Sequence, residues 1–220
     1  MLRFAAIVVI VAVLAPYLIA PLYRVVNPVS TLMMWRYLTG QRVERTWVPM
    51  SQMSPFIPRA VIAAEDGQFC NHRGIDTREL MEAIGDAQAG EEARGASTIT
   101  QQTAKNLFLW GGRSFVRKAL EIPLALWLEI ALGKRRIMEI YLNIAEWGPD
   151  GEFGVEAGAQ RAFSIGVVNI TGPQAALLAS VLPNPVTRNA KAPGTGLRRI
   201  AGIHLRRMGA AGIDNCLRGK

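Results

Sequence analysis

Apolar residues dominate the start of the chain. Residues 4–26 read FAAIVVIVAVLAPYLIAPLYRVV and carry no charge before Arg24. About 20 helical residues at ~1.5 Å per residue span roughly 30 Å, which is the thickness of a bilayer core. A cleaved signal peptide is disfavoured, because its best cleavage site would place Leu18 and Pro21 where small residues are required. The pattern predicts an uncleaved membrane anchor over residues 1–26.

Helical periodicity recurs through the rest of the chain. After a connector at 27–49, apolar residues at three- and four-residue spacing predict one helical domain over 50–220. Further predicted helices lie at 57–65, 77–87, 97–107, 114–132, 134–144, 175–182 and 198–208, with a polar loop at 88–96 and a turn at 147–154. Asp76-Thr-Arg-Glu79 is predicted to cap the helix at 77–87, and Thr171-Gly-Pro-Gln174 the helix at 175–182. No alternating strand pattern is evident, so the predicted fold class is all-α.

The net charge and the cysteine content bear on which partners and which compartment are expected for this protein. The chain of 220 residues has 25 Lys and Arg against 17 Asp and Glu, a formal net charge of +8. Such a charge suits phosphates, anionic membranes or nucleic acid. No zinc-knuckle or aromatic–basic RNA motif is present, so no nucleic acid partner is expected and the anchor favours a membrane surface. The two cysteines, Cys70 and Cys216, could pair, but alone they fix neither a disulfide nor a compartment.

Several kinds of site are absent from the sequence. His72 and His204 have no partners at metal-ligand spacing, so the residues by themselves predict no metal site. The Ser-x-x-Lys and Lys-Thr-Gly patterns of penicillin-binding acyl transfer do not occur. Walker and Rossmann glycine patterns do not occur either.

An acidic pair at the end of the first domain helix is the leading candidate for chemistry. Glu65 follows Ile57 and Val61 at helical spacing, which puts its carboxylate on their inward face. Partial burial raises the pKa of a carboxyl group and suits a general acid or base. The competing interpretation is a solvated helix end, and Asp66 fits that interpretation better than Glu65.

Two further stretches are unusually polar or basic. Residues 95–106 read GASTITQQTAKN and could hold sugar hydroxyls or a phosphate, or could form a Ser-capped surface helix. Arg117 and Glu121 lie four residues apart. They could form a surface ion pair worth ~0.3–0.5 kcal/mol, or part of a cationic clamp for a diphosphate.

Five motifs occur in one order between about residues 50 and 185. The motifs are Glu65-Asp66-x-x-Phe69-x-x-His72-x-Gly74, Gly95-x-Ser-Thr-Ile-Thr-Gln-Gln102 with Lys105-Asn106, Arg117-Lys118-x-x-Glu121, residues 134–143, and residues 151–157 with Leu182-Pro-Asn-Pro185. Together they resemble the peptidoglycan glycosyltransferase family, the polymerase module of bifunctional penicillin-binding proteins, which also occurs alone as a monofunctional membrane enzyme. Ala162 and Thr103 depart from the family pattern.

The resemblance implies a fold, a substrate and a reaction. The fold would be a lysozyme-like helical domain whose donor and acceptor sites meet beside the membrane. The enzyme would polymerise lipid II, with Glu65 as base on the acceptor 4-hydroxyl, inversion at the donor carbon and release of undecaprenyl diphosphate. Glu121 would assist, directly or through a divalent cation such as Mg²⁺ or Mn²⁺, with no other cofactor required.

The resemblance also implies further site residues and a location. Substrate and diphosphate binding would fall to Ser97, Thr98, Gln101, Gln102, Lys105, Asn106, Arg113, Arg117 and Lys118. Asp66, Phe69, His72 and Gly74 would support the base. The expected location is the bacterial inner membrane, single-pass, with the catalytic domain in the periplasm. Expected partners are lipid II, the growing glycan chain, membrane lipid and other cell-wall synthesis or division proteins.

The sequence leaves two alternative functions open. A lytic transglycosylase or muramidase would also use one catalytic Glu in a similar fold, but cleaving finished glycan requires no diphosphate clamp. A membrane-anchored scaffold without catalysis would have no special need for Glu65. The basic residues near Glu121 and the intact motif around Glu65 favour polymerisation.

Overall fold

The computed structural model describes residues 2–89, 97–112 and 114–218, and it is built from helices. The α-helices are α1 (Leu2–Ile19), α2 (Thr31–Leu38), α3 (Phe56–Glu65), α4 (Thr77–Gln88), α5 (Ile99–Phe108), α6 (Phe115–Leu132), α7 (Lys134–Ile144), α8 (Val155–Phe163), α9 (Gly172–Ala179) and α10 (Thr195–Arg207). Short 3₁₀ helices occupy Ala20–Arg24, Met50–Gln52, Val167–Asn169 and Asn215–Leu217. Extended pairing within these ranges is limited to two isolated bridges, so the all-α prediction is confirmed.

Local capping explains where several helices begin. The Asp76 carboxylate accepts hydrogen bonds from the backbone N–H groups of Arg78 and Glu79 at 3.0 and 3.1 Å. Thr171 and Gln174 form a capping box at the start of α9. These contacts satisfy backbone donors that the first turn leaves free. Polar residues therefore set these helix starts, as the sequence predicted.

Two groups of helices form the core, and Glu65 and Gln102 lie where the groups meet. In one group α3 packs against α9 and α10, and in the other α5 packs against α6 and α7. Ile57, Ile99 and Leu128 have at most 1% of their surface exposed. Burying such a side chain stabilises the fold by about 1.5–3 kcal/mol. Because α3 ends at Glu65 and α5 carries Gln102, the packing brings these two residues to the boundary between the groups.

The segment predicted as a connector, 27–49, contains a helix that the pattern did not reveal. Ser30 caps α2 by accepting from Met33 N at 3.1 Å, and Met33 is fully buried. Thr31 Oγ1 donates to the Leu109 carbonyl at 2.6 Å, which attaches α2 to the end of α5. A helix of eight residues is too short to be stable alone. Its tertiary contacts therefore account for its presence.

The predicted anchor coincides with α1 and the 3₁₀ turn after it. Trp127 Nε1 donates to the Tyr17 carbonyl at 2.9 Å, so the end of α1 contacts α6. Within the three described ranges, none of the helices combines the length and the apolar character needed to cross a membrane.

The sequence left open whether the two cysteines pair, and the structure shows a disulfide between them. Cys70 and Cys216 are bonded, which joins the loop after α3 to the last 3₁₀ helix. The same end of the chain is held by Arg135, which donates to the Leu217 carbonyl at 2.6 Å. Arg59 donates to the Met208 carbonyl at 2.7 Å. Residues 208–217, called the C-terminal segment below, are thus attached to the domain at both ends.

Candidate active site

Glu65 has one carboxylate oxygen held and the other free. Oε2 accepts a hydrogen bond from Gln102 Nε2 at 2.9 Å. Oε1 is buried and meets no hydrogen-bond partner within the described parts of the chain. Burial raises the pKa of Glu65, while the bond from Gln102 and the charges of Arg188 and Lys105 act in the opposite direction. A fixed carboxyl group with a free oxygen and a raised pKa is what a general base requires.

A hydrogen bond from Tyr141 sets the orientation of the Gln102 side-chain amide. Tyr141 Oη donates to Gln102 Oε1 at 3.0 Å, so the amide nitrogen must face Glu65. Tyr141 is 1% exposed, and burial raises its pKa well above the ordinary value, so the hydroxyl keeps its proton. Tyr141 was matched within a motif but not predicted as a site residue. A tyrosine on an inward helix face requires a hydrogen-bond partner, and this was the available signal.

Asp66 connects the loop after α3 to the beginning of α5. Its two carboxylate oxygens lie 2.9 and 3.1 Å from His72 Nε2. Oδ2 also accepts from the backbone N–H of Ile99 at 2.9 Å, where a helix N-terminus favours negative charge. Asp66 is 4% exposed, so it is not the solvated helix end considered from the sequence. Asp66 thus holds the loop that follows Glu65 against the start of α5.

Phe69 and Gly74 lie in the same loop and are enclosed by packing. Phe69 is fully buried, and Lys134 Nζ lies 4.2 Å from the centre of its ring. Gly74 has φ +87°, and an added Cβ would lie 3.0 Å from the Ala125 carbonyl oxygen. The position therefore has no room for a side chain, and its positive φ is a conformation that residues other than glycine rarely adopt. These contacts restrict the loop that follows Glu65.

Two of the predicted substrate-binding residues are used at the start of α5. Thr98 and Gln101 form a reciprocal capping box and are only 2% and 1% exposed. Thr98 Oγ1 also donates to the Gly74 carbonyl at 2.6 Å. Their other polar atoms bond to each other and to the adjacent loop, while Gln101 Nε2 is buried and has no partner among the described residues. The predicted role of both residues in substrate binding stays a prediction.

The basic motif converges on Glu121. Arg117 Nη1 and Lys118 Nζ each contact one carboxylate oxygen of Glu121, the latter at 2.9 Å. Glu121 is 2% exposed, so the weak surface ion pair considered from the sequence does not describe this contact. Lys118 Nζ also donates to Ser97 Oγ at 2.6 Å. Burial and the charges of Arg117 and Lys105 lower the pKa of Lys118 to about 8.

Lys105 lies close enough to Glu65 and to Arg117 of the basic motif for both charges to shift its pKa. Burial and the charge of Arg117 lower its pKa, and the charge of Glu65 raises it. Lys105 and Asn106 line a mainly apolar cleft of about 690 Å³ with Trp35 and Trp110. They also line a second cleft of about 240 Å³, which contains Gln102 and Tyr141. Arg113, the remaining predicted cation, lies outside the described residues, as do Gly95 and most of the predicted loop at 88–96.

Arg188 is a neighbour of the site that sequence reasoning missed. Its Nη1 donates to the Ser180 carbonyl at 2.7 Å. Its charge opposes the rise in the pKa of Glu65. The residue follows the Leu182-Pro-Asn-Pro185 stretch by only three positions, but nothing in the local pattern distinguishes it from a solvated arginine.

Comparison with known proteins shows the family of this chain. The family model described as "Transglycosylase" matches residues 32–209. A "Biosynthetic peptidoglycan transglycosylase" of Nitrobacter hamburgensis is 57% identical over 205 residues, which cover 93% of this chain and 91% of that protein. Relatives with the same name from Nitrobacter winogradskyi and Agrobacterium fabrum are 54% and 51% identical, over 99% and 90% of this chain and 96% and 88% of theirs. With this match over most of its length, the chain belongs to the transglycosylase family.

Proposed function

We propose that this protein is a peptidoglycan glycosyltransferase that polymerises lipid II into β-1,4-linked glycan strands. The observation that carries the proposal is the carboxylate of Glu65, held by Gln102 through one oxygen and free at the other. Lys105 adds positive charge near it, and Arg117 and Lys118 lie in turn near Lys105. A base and a set of fixed cations are the two features that transfer from a sugar diphosphate requires.

In the proposed reaction Glu65 acts on the glycosyl acceptor. Its free oxygen takes the proton of the acceptor 4-hydroxyl while that hydroxyl oxygen attacks the anomeric carbon of the donor. The bond between that carbon and the diphosphate oxygen breaks, and the electron pair leaves with undecaprenyl diphosphate. Attack from the opposite face inverts α to β. General base catalysis contributes about 10²–10⁴-fold, so substrate positioning must supply much of the remainder.

The cations are proposed to stabilise the charge that develops on the leaving diphosphate. Lys105 faces the two clefts, and Arg117 and Lys118 are held in place by Glu121. Preorganised charges of this kind cost no reorganisation during the reaction. Glu121 then acts by positioning the cations, and Arg113 remains a proposed fourth member of the set.

A divalent cation does not fit well on Glu121. Both carboxylate oxygens of Glu121 already accept from cationic side chains, which would repel Mg²⁺ or Mn²⁺. The described residues contain no group of three His, Cys, Asp or Glu side chains that could hold a metal ion. A cation carried by the diphosphate oxygens of the substrate suits the chemistry better. No step of the proposed reaction is assigned to a metal.

The lysozyme-like domain is proposed to work at the outer face of the inner membrane, anchored by the apolar N-terminal segment. Residues 4–23 carry no charge, and Phe4 and Leu18 are about three-quarters exposed in α1, at 74% and 76%. Exposed apolar surface of this extent favours lipid contact. The Cys70–Cys216 disulfide supports a periplasmic domain, because disulfides persist in oxidising compartments.

The membrane proposal is tested by fractionating cells that produce the full chain or a variant lacking residues 2–19. The full chain is expected in the carbonate-resistant membrane fraction, and the variant is expected to be released. Protease added to spheroplasts should degrade the domain of the full chain. Recovery of the full chain in the soluble fraction, or protection from protease, would contradict the proposal.

The catalytic proposal is tested with purified full-length protein and labelled lipid II. The wild type is expected to form glycan chains, and Glu65→Gln is expected to lose at least about 10²-fold in rate. Normal polymerisation by Glu65→Gln would remove Glu65 from the role of base. Release of short muropeptides from mature cell wall would support the lytic rival, and no turnover of either substrate would support a scaffold.

A further inference from the structure

The C-terminal segment lines the cleft beside Glu65, although most of it lies beyond the family match. The match ends at residue 209, whereas the segment runs from 208 to 217. A cleft of about 680 Å³ opens beside Glu65 and is bordered by the loop after α3 and by the start of α4. Its remaining wall comes from Arg207 at the end of α10 and from residues 210–213. A part of the chain beyond the match to the family model therefore borders the proposed catalytic base.

The wall formed by residues 210–213 is fixed at both ends. Before it, the Met208 carbonyl accepts from Arg59 on α3 at 2.7 Å, and Met208 is 4% exposed. After it, Cys216 is bonded to Cys70, only five residues from Glu65. Leu217 is 5% exposed, and its carbonyl accepts from Arg135 on α7. The wall therefore keeps its position relative to the catalytic loop, as a binding surface must.

The position of the cations indicates which substrate this cleft would receive. Lys105 lines the clefts of about 690 and 240 Å³ described above and not this one. If the leaving diphosphate lies against Lys105, the donor occupies that side, and the cleft at the C-terminal segment is left for the acceptor. The acceptor must approach Glu65 to lose its proton, and Glu65 itself borders this cleft.

The lining of the cleft carries both signs of charge, with the carboxylates of Glu65, Asp66 and Glu79 beside two arginines, which suits a sugar that carries a charged peptide. Arg78 and Arg207 provide two guanidinium groups, which bind carboxylates through paired N–H donors. Ala210 and Ala211 provide small side chains that leave room for a substrate. We propose that the C-terminal segment forms one wall of the acceptor subsite, with Arg207 and Arg78 binding carboxylates of the peptide attached to the acceptor sugar. This inference rests on the polymerase function proposed above.

The test separates acceptor from donor with two lipid II analogues and full-length protein. A 4-deoxy analogue can donate but not accept, and an analogue with carbon in place of the anomeric oxygen can accept but not donate. Ala211→Trp places bulk in the cleft, and Ala192→Trp makes the same change at an exposed position outside it. Ala211→Trp is expected to raise the acceptor KM at least several-fold with little change in the donor KM, and Ala192→Trp should change neither.

Arg207→Gln gives a second measurement that does not depend on added bulk. It should raise the acceptor KM, and Arg207→Lys should restore part of the loss, because the charge returns without the paired donors. Direct binding of the acceptor-only analogue is measured as well, and thermal unfolding shows whether each variant is folded. Unchanged acceptor KM and binding in both Ala211→Trp and Arg207→Gln would overturn the inference, as would equal losses for donor and acceptor. A wild type that binds the acceptor analogue at this cleft but forms no glycan would contradict the polymerase function and leave the subsite standing.

Discussion

The side-chain amide of Gln102 donates to Glu65 Oε2 at 2.9 Å, and this contact depends on a third residue. An amide presents either a donor or an acceptor to its neighbour, according to which way it is turned. The hydroxyl of Tyr141 occupies the acceptor end at 3.0 Å and thereby selects the donor for Glu65. A buried tyrosine on α7 thus influences the ionisation of a carboxyl group at the end of α3.

Tyr141→Phe is predicted to shift the acidic limb of the pH–rate profile to higher pH. Without the hydroxyl, the Gln102 amide is free to turn its oxygen toward Glu65, and the bond that lowers the pKa of Glu65 is weakened. The proposed base is active when ionised, so a higher pKa of Glu65 should remove activity at low pH first. The measurement is kcat/KM against pH, which reports the free enzyme.

The matched control for this prediction is Thr103→Val on α5. Thr103 is fully buried, and its hydroxyl donates to the Ile99 carbonyl at 2.8 Å without contacting Glu65. Both variants lose a buried hydrogen bond worth about 1 kcal/mol, so both should lower the unfolding temperature modestly. A shift of the acidic limb in Thr103→Val, or none in Tyr141→Phe, would show that the contact does not tune the base.

Lys118→Arg is predicted to extend activity to higher pH. The pKa of Lys118 is lowered to about 8, so its charge is lost as the pH rises through that value. Below about pH 8 the charge is present and can stabilise the diphosphate. Arginine keeps its charge throughout this range. The alkaline limb of kcat/KM should therefore lie near pH 8 in the wild type and move upward in Lys118→Arg, and an unchanged limb would argue against a role for this charge.

Glu65→Gln is predicted to stabilise the folded protein while it removes activity. Burial raises the pKa of Glu65 above its value in the unfolded chain, so the native state binds this proton more tightly. Stability then falls as the pH rises through the native pKa, because the ionised carboxylate is buried. The unfolding temperature of the variant should exceed that of the wild type more at pH 8 than at pH 5. A larger difference at pH 5 would contradict the sign of this shift.

Loss of the disulfide is predicted to destabilise the domain. Cys70 and Cys216 are 146 positions apart, and closing a long loop restricts the unfolded chain. Replacing both by serine should lower the free energy of unfolding by about 2–5 kcal/mol. Denaturant unfolding with and without a reductant measures this, with the double variant as the control that should not respond to reductant. Equal stability of the oxidised wild type and the double variant would show that the bond is not structural.

Helix positions followed largely from the local pattern. The apolar spacing and the polar residues at Asp76 and Thr171 were enough to predict where α4 and α9 begin. A helix closes its hydrogen bonds within a few residues, so short stretches of sequence carry this information. The same reasoning missed α2, because its stability comes from contacts with α5 rather than from its own eight residues.

The candidate base was also predicted from the sequence, but its surroundings were not. Helical spacing put Glu65 on the inward face of α3, and the motif resemblance assigned it a role. The same resemblance gave Thr98 and Gln101 a substrate role, and the structure shows that they also cap α5. Polar residues in a motif can serve the helix or the substrate, and only the burial of each side chain distinguishes the two.

The sequence by itself determined the all-α class, most of the helices, the apolar first segment and the identity of the acidic and basic residues. The tertiary structure decided which of them meet. It connected Tyr141 through Gln102 to Glu65, and it buried Glu121 in contact with Arg117 and Lys118. It also bonded Cys70 to Cys216 and placed residues 210–213 in the wall of the cleft beside Glu65. These contacts join residues that are far apart along the chain, except around Glu121. The long-range contacts depend on how the helices pack against one another, and the periodicity within one helix does not specify that packing.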